Sequence, residues 1–379
     1  MATPAYPDTE QLPEGIGSAR IATATGLEVH YLHAGDAAHP VLLLLHGFPE
    51  LAYSWRKIMP GLAQAGYYVI APDQRGYGGT TGWSADYATP LEPYRMTSLV
   101  LDQLALLQAL DIDQVAAVVG HDFGSPVAAW CALTRADKFQ RLVMMSAPFA
   151  GPPGIRTPAS AAPQSKRDLD AELARLQPPR KHYQSYYCTP AANQDMLQCE
   201  QGLQTFLAQY YYLKSGLWSA NDPQPLADWQ TATLAVMPGY YIIPEALNMP
   251  EVVAQDGAGQ DLGGLDDWLS EPELAVYTAA FKASGFQGGL NWYRAANSTE
   301  QTNYLRLYAG CRINVPATFV AGRQDWGMYQ SPGALTRMAE EACQDFRGSH
   351  IIEGAGHWLQ QEQPEAVLDC LLSFMLESR

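Results

Sequence analysis

The chain has 379 residues, 47% of them hydrophobic, enough to bury one large core or a core with an attached sub-domain. Lys and Arg number 23 against 39 Asp and Glu, a net charge of -16. A surface this acidic repels phosphate backbones, which excludes nucleic acid as a partner. The longest wholly apolar run, VLLLL at 41–45, is too short to span a bilayer, so no membrane partner is expected. The N-terminal MATPAYPDTEQLPEG lacks a basic region followed by an apolar run, so no secretory signal is expected. The six cysteines (131, 188, 199, 311, 343 and 370) show no C-x-x-C pairing, and no His/Cys cluster has zinc-ligand spacing. The expectation is free thiols in a reducing cytoplasm and no metal.

Taken in chain order, RIATATGLEVHYLH (20–33) alternates around Thr25-Gly26 and predicts a β-hairpin. VLLLLHG follows as a buried strand. SWRKIMPGLAQAG (54–66) predicts a helix ending at Gly66 and kinked at Pro60. YYVIAPD (67–73) reads as a second buried strand and TSLVLDQLALLQAL (97–110) as a helix. QVAAVVG and RLVMMSAP (141–148) are the third and fourth strands. Apolar strands alternating with helices predict an α/β protein whose mostly parallel sheet is covered on both faces.

The pattern breaks at GPPGIRTPASAAP (151–163), which carries four prolines and reads as a linker. Residues from about 164 to 310 hold helical stretches and few strand signals. The α/β pattern resumes at VPATFVAG (315–322) and SHIIEG (349–354), and PEAVLDCLLSFMLES closes the chain as a helix. The expected division is 1–150 for the first part of the core, 151–310 for linker and helical cap, and 311–379 for the second part of the core. The insertion falls between the fourth and fifth parallel strands.

The stretch VVGHDFGSP (118–126) reads as a strand, a tight Gly-flanked turn and a small-residue helix. That is the nucleophile elbow of α/β-hydrolases, G-x-S-x-G, with Asp122 where the hydroxyl usually stands. Asp325 follows the strand PATFVAG and His357 follows HIIEG. Both lie where parallel sheets place their chemistry, in the chain order nucleophile, acid, base. HGFP (46–49) follows VLLLL, so Phe48 and Phe123 are the expected backbone donors of an oxyanion hole.

A carboxylate nucleophile is unsuited to acyl transfer but suited to displacement at an sp³ carbon. It is ionised without help, since a free Asp has a pKa of about 3.9. It would form an alkyl ester, which His357, oriented by Asp325, would hydrolyse through a water molecule. Epoxides and alkyl halides are the substrates this chemistry admits.

HGFPE at 46–50, DQRGYG at 73–78, GHDFG at 120–124, GFQGGLNWYR at 285–294 and GHW at 356–358 resemble the soluble epoxide hydrolases of the α/β-hydrolase fold. The resemblance implies a helical cap, two cap tyrosines that bind the epoxide oxygen, and no cofactor. Tyr293 in LNWYR matches the second of these. Tyr183, beside Gln184, matches the first, with Tyr186 and Tyr187 on the same helical face. Ser270 and Glu273 form a capping box for a helix that stops at Gly285, and LNWYR begins the next helix after a Gly-Gly turn. His46, Gln184, Trp292 and Trp358 are further candidates for contact with substrate.

The expected partners are a small apolar epoxide and water, acting on a monomer or homodimer. A haloalkane or haloacid dehalogenase would use the same nucleophile, but Phe123 lacks the side-chain N–H that holds a departing halide. A non-catalytic ligand-binding relative would need a damaged triad or a missing donor, and all the groups are present.

Overall fold

The computed structural model describes residues 12–155 and 169–377. The hairpin forms from β1 (Ile16–Ala22) and β2 (Glu28–Ala34), with Ile21 opposite Val29. The strands β3 (Val41–Leu45), β4 (Tyr68–Pro72), β5 (Ala117–His121) and β6 (Leu142–Met145) follow. The cap contributes a short antiparallel pair, β7 (Arg180–His182) and β8 (Ile242–Pro244). The core resumes with β9 (Ile313–Gly322) and β10 (Cys343–Ile352). The eight core strands make one sheet in the order β1-β2-β4-β3-β5-β6-β9-β10, parallel from β4 onward. The cap therefore enters between β6 and β9, the fourth and fifth parallel strands in chain order.

Successive residues of a strand point to opposite faces. Leu43 and Leu45 join the hydrophobic cluster on the cap-bearing side, and Leu42 and Leu44 the cluster on the other. Both faces are buried, so VLLLL has no polar alternation to show. The cap is tied to the core by Arg56 Nε donating to Glu273 Oε1 at 2.8 Å, Tyr211 Oη donating to the Pro49 carbonyl at 2.6 Å and Trp292 Nε1 donating to the Arg75 carbonyl at 2.9 Å.

Several expectations change. Residues 54–66 are not one kinked helix: a short 3₁₀ turn spans Ala52–Trp55 and the helix runs Met59–Gln64, with Pro60 in its first turn. There the missing N–H costs nothing, so Pro60 starts the helix instead of bending it. The strand read at 349–354 begins at Cys343, lengthened by register irregularities that hide its alternation. The Ser270–Glu273 capping box is present and Gly285 ends its helix with φ of 68°. No Gly-Gly turn follows. Gly288 and Gly289 lie inside the helix Gln287–Asn297, and Gly288 is glycine for lack of room: a Cβ there would sit 2.2 Å from the Gly76 carbonyl oxygen. The linker read at 151–163 is described only as far as 155, and 156–163 lie outside the described residues, as do the first eleven residues of the N-terminal segment. The final helix is Pro364–Leu376.

Candidate active site

β5 delivers Asp122 into a sharp turn before the helix Gly124–Thr134, with φ of 49°. A left-handed backbone is strained for a residue with a side chain. Asp122 N–H donates to the Met145 carbonyl at 3.2 Å, and the Asp122 carbonyl accepts from Ser125 N–H at 3.0 Å. The turn needs small flanks: a Cβ at Gly124 would lie 2.2 Å from the Leu45 carbonyl oxygen, and one at Gly120 would lie 2.1 Å from that of Gly124.

The two oxygens of Asp122 face different groups. Oδ1 accepts from Phe48 N–H at 2.8 Å, and Oδ2 lies 3.3 Å from His357 Nε2. His357 Nδ1 lies 2.9 Å from Asp325 Oδ1, which also accepts from Gly327 N–H at 2.6 Å. The three strand-end residues named from the sequence thus meet in one chain of contacts. Phe123, the second expected oxyanion donor, is the helix N-cap, and its ring meets Trp292 and Tyr293 edge-on at 5.3 and 5.0 Å.

Burial pushes the Asp122 carboxyl up, but the hydrogen bond and charge of His357, then Lys214, hold it well below the usual carboxylate range. Burial and the Lys214 charge push His357 down. The Asp325 and Asp122 carboxylates outweigh them and lift the imidazole to about 9. With carboxylate oxygens 2.9 and 3.3 Å from its two ring nitrogens, the protonated imidazole is the favoured resting form.

Tyr183 and Tyr293 stand with ring centroids 6.1 Å apart, and Tyr293 lies 5.5 Å from the Phe48 ring. Tyr183 Oη donates to Gln330 Oε1 at 2.8 Å and accepts from Gln184 Nε2 at 3.0 Å. Tyr293 Oη has no hydrogen-bond partner among the described residues. Burial, then the Asp122 charge, raises Tyr293; burial raises Tyr183 too, and both phenols stay protonated. The neighbouring candidates are engaged elsewhere: Tyr186 Oη donates to Asp195 at 2.9 Å, and Tyr187 Oη pairs with Tyr210 Oη at 3.2 Å.

The further contact candidates divide. Gln184 reaches the site through Tyr183. Trp292 presents its ring to Phe123 while its N–H is committed to Arg75. Trp358 packs edge-on to His357 at 4.6 Å, its N–H donating to the Tyr211 carbonyl. His46 corrects its expectation. Nδ1 donates to the Gly47 carbonyl at 2.9 Å, Nε2 accepts from Gln74 N–H at 3.1 Å, and the ring is fully buried. Both nitrogens are consumed in shaping the HGFP loop, leaving none for a substrate.

Sequence reasoning missed a supporting layer. Glu50 accepts from Gly47 N–H at 3.0 Å, from His121 Nδ1 at 2.5 Å and from Gln360 Nε2 at 2.9 Å, while His121 Nε2 donates to the His357 carbonyl at 2.7 Å. Glu362 accepts from the N–H groups of Gly356 and Trp358, both at 2.9 Å, and of Gly216 at 2.7 Å. Burial raises it to about 7. Lys214, on the cap helix Leu203–Lys214, accepts His357 N–H at its carbonyl, 2.8 Å away. Glu50 ends the quoted HGFPE and His121 sits inside GHDFG, so those two were within reach; the others carry no local signal. Among the described residues, no group of three or more His, Cys, Asp or Glu is arranged to hold a metal, and no helix is long and apolar enough to cross a membrane.

The chain is similar to known proteins over most of its length. A family model described as alpha/beta hydrolase fold matches residues 40–230. Epoxide hydrolase B of Mycobacterium tuberculosis is 34% identical over 360 residues, 94% of this chain and 97% of that protein. Epoxide hydrolase A of the same organism is 31% identical, over 95% of this chain and 98% of its own length. Among solved structures, an epoxide hydrolase from an endophytic Streptomyces superposes with a TM-score of 0.73 at 30% identity, covering 96% of each chain. The chain belongs to the α/β-hydrolase fold family and is closely related to known soluble epoxide hydrolases.

Proposed function

We propose that this chain is an epoxide hydrolase that converts an epoxide and water to a vicinal diol. The observation that carries the reading is the divided environment of Asp122: one oxygen on the Phe48 N–H, the other facing His357, with two protonated phenols nearby. Asp122 Oδ2 attacks a ring carbon, the carbon–oxygen bond of the epoxide breaks, and Tyr293, with Tyr183, protonates the leaving oxygen. Esterification removes the Asp122 charge that lifts the imidazole, so His357 gives its proton back to the phenolate. Neutral His357, oriented by Asp325, then takes a proton from water. The water attacks Cγ of the ester while the Phe48 and Phe123 N–H groups hold the oxyanion. Collapse breaks the Cγ–Oδ2 bond, and the departing alkoxide takes the proton of the hydroxyl just added at Cγ, which releases the diol and leaves Asp122 carboxylate beside His357 imidazolium.

The dehalogenase reading needs side-chain N–H donors for halide. Phe123 has none, and the indole N–H groups of Trp292 and Trp358 are taken by backbone carbonyls. The position of the cap between β6 and β9 supports the division 1–150, 151–310 and 311–379, and six free thiols support a cytoplasmic setting for a monomer or homodimer. Detoxification and a catabolic step fit the reaction equally.

The test is the intact mass of His357→Gln after separate incubation with a small aryl epoxide and a short bromoalkane. A gain of the whole epoxide, mapped to Asp122, is expected. An adduct from the bromoalkane alone, less its bromine, would overturn the reading.

A further inference from the structure

Lys214 ends a cap helix and is only 5% exposed. Its ammonium makes no ion pair or hydrogen bond among the described residues. It lies instead among four aromatic rings, 5.3 Å from Tyr210, 5.2 Å from Tyr241, 5.9 Å from Tyr240 and 5.4 Å from Trp358. Electron-rich ring faces stabilise a cation without neutralising it. The enclosure is built, not incidental. Tyr240 Oη donates to Asn221 Oδ1 at 2.6 Å, and Asn221 Nδ2 donates to the Leu213 and Ser215 carbonyls at 2.8 and 2.9 Å, either side of Lys214. One wall, Trp358, packs on His357, and another, Tyr241, lies 5.1 Å from the Tyr183 ring.

The surrounding charges are these. Asp122 and Asp325 face His357 from the elbow and from the loop after β9. His121 packs on its ring at 5.1 Å, with Glu50 behind it, and Glu362 binds the N–H groups on either side. Against Asp122 and Asp325 stand imidazolium and the Lys214 ammonium, and the four balance. An ester on Asp122 removes one negative charge and leaves two cations against one carboxylate.

We propose, resting on the epoxide-hydrolase reading above, that Lys214 is a positioning residue for ester hydrolysis: its caged, unneutralised charge expels the proton from His357 once Asp122 is esterified. Without it, imidazolium and Asp325 form a neutral pair that keeps the base protonated and stalls the ester. The Lys214 charge already depresses the imidazole in the resting enzyme, as this requires.

The experiment measures the pH dependence of ester formation and ester hydrolysis separately, by stopped flow on a small aryl epoxide. In Lys214→Met, the acid limb of hydrolysis should move up by about one pH unit, roughly a tenfold loss near neutrality, and the fall should exceed any fall in ester formation about fivefold. Lys214→Arg should restore the limb. A uniform loss at every pH, or an unmoved limb, would overturn the proposal. A second measurement needs no change at Lys214. Asp122→Asn mimics the uncharged ester, and in it the His357 imidazole, followed by carbon NMR, should titrate below about 6.5. Titration above 7 would overturn the proposal. Absence of epoxide turnover by the unmodified enzyme would instead remove the reading it rests on, and the NMR titration uses no substrate.

Discussion

The backbone N–H of Phe48 donates a 2.8 Å hydrogen bond to Oδ1 of Asp122, while Oδ2 of that carboxylate faces His357. The oxyanion donor is therefore engaged before any substrate arrives, and the two carboxylate oxygens are already assigned. Oδ2 is the attacking atom, and Oδ1 is the carbonyl oxygen that becomes the oxyanion. Water then adds at Cγ, so the oxygen delivered to the diol comes from Asp122. A single turnover in heavy-oxygen water should label the Asp122 peptide and leave the diol unlabelled. Label in the diol instead would mean direct attack of water on the epoxide.

Tyr293 and Tyr183 differ in what holds their hydroxyls. Tyr183 is already bonded to Gln330 and Gln184, whereas Tyr293 has no such partner. Tyr293→Phe should slow ester formation by roughly 10²-fold, with ester hydrolysis much less affected. The double variant Tyr183→Phe/Tyr293→Phe should be nearly inactive on epoxides. Pre-steady-state traces with a normal ester-forming phase would assign ring opening to another donor.

Asp325 orients His357 through a 2.9 Å contact and carries part of the charge that lifts the imidazole. Asp325→Ala should mainly slow ester hydrolysis, by about 10²-fold or more, so that the alkyl-enzyme accumulates. Mass spectrometry during turnover reads this directly. Free enzyme as the dominant species would place the defect in ester formation.

Stability should carry the mark of the same imidazole. The folded value of about 9 lies above the unfolded value of about 6.5. A raised histidine contributes its full stabilisation below the unfolded value and loses it as pH rises through the folded one. The contribution, up to roughly 3 kcal/mol, should therefore disappear between about pH 6.5 and 9. Denaturant unfolding of the native chain should show this fall, and His357→Gln should show a flatter curve. Parallel curves would contradict the assignment.

Glu362 gathers three N–H groups in part-buried hydrogen bonds, two of them flanking His357 and one from the cap at Gly216. Glu362→Ala leaves all three unsatisfied and should destabilise the chain by about 3 kcal/mol or more. Thermal unfolding should register it as a fall in Tm, with Glu362→Gln intermediate because it retains one acceptor.

The strand ends bearing Asp122, Asp325 and His357 were legible because each is a local event: an apolar run, a glycine, then the reacting side chain. The capping box at Ser270 and the hairpin around Gly26 are local in the same sense, and so is the choice of a carboxylate at the elbow, which dictates the class of reaction. What escaped is whatever depends on segments distant in the chain. His46 reads as a contact residue in sequence, but the Gly47 carbonyl and the Gln74 N–H occupy its two nitrogens. Gly288 and Gly289 read as a turn in sequence, but they are helix positions pressed by the Gly76 backbone and by the Tyr77 and Phe48 side chains respectively. The cage of Lys214 joins rings from residues 210, 240, 241 and 358, and no window of sequence contains them all. Backbone chemistry writes itself into neighbouring residues, whereas electrostatic surroundings arise only when packing brings distant ones together.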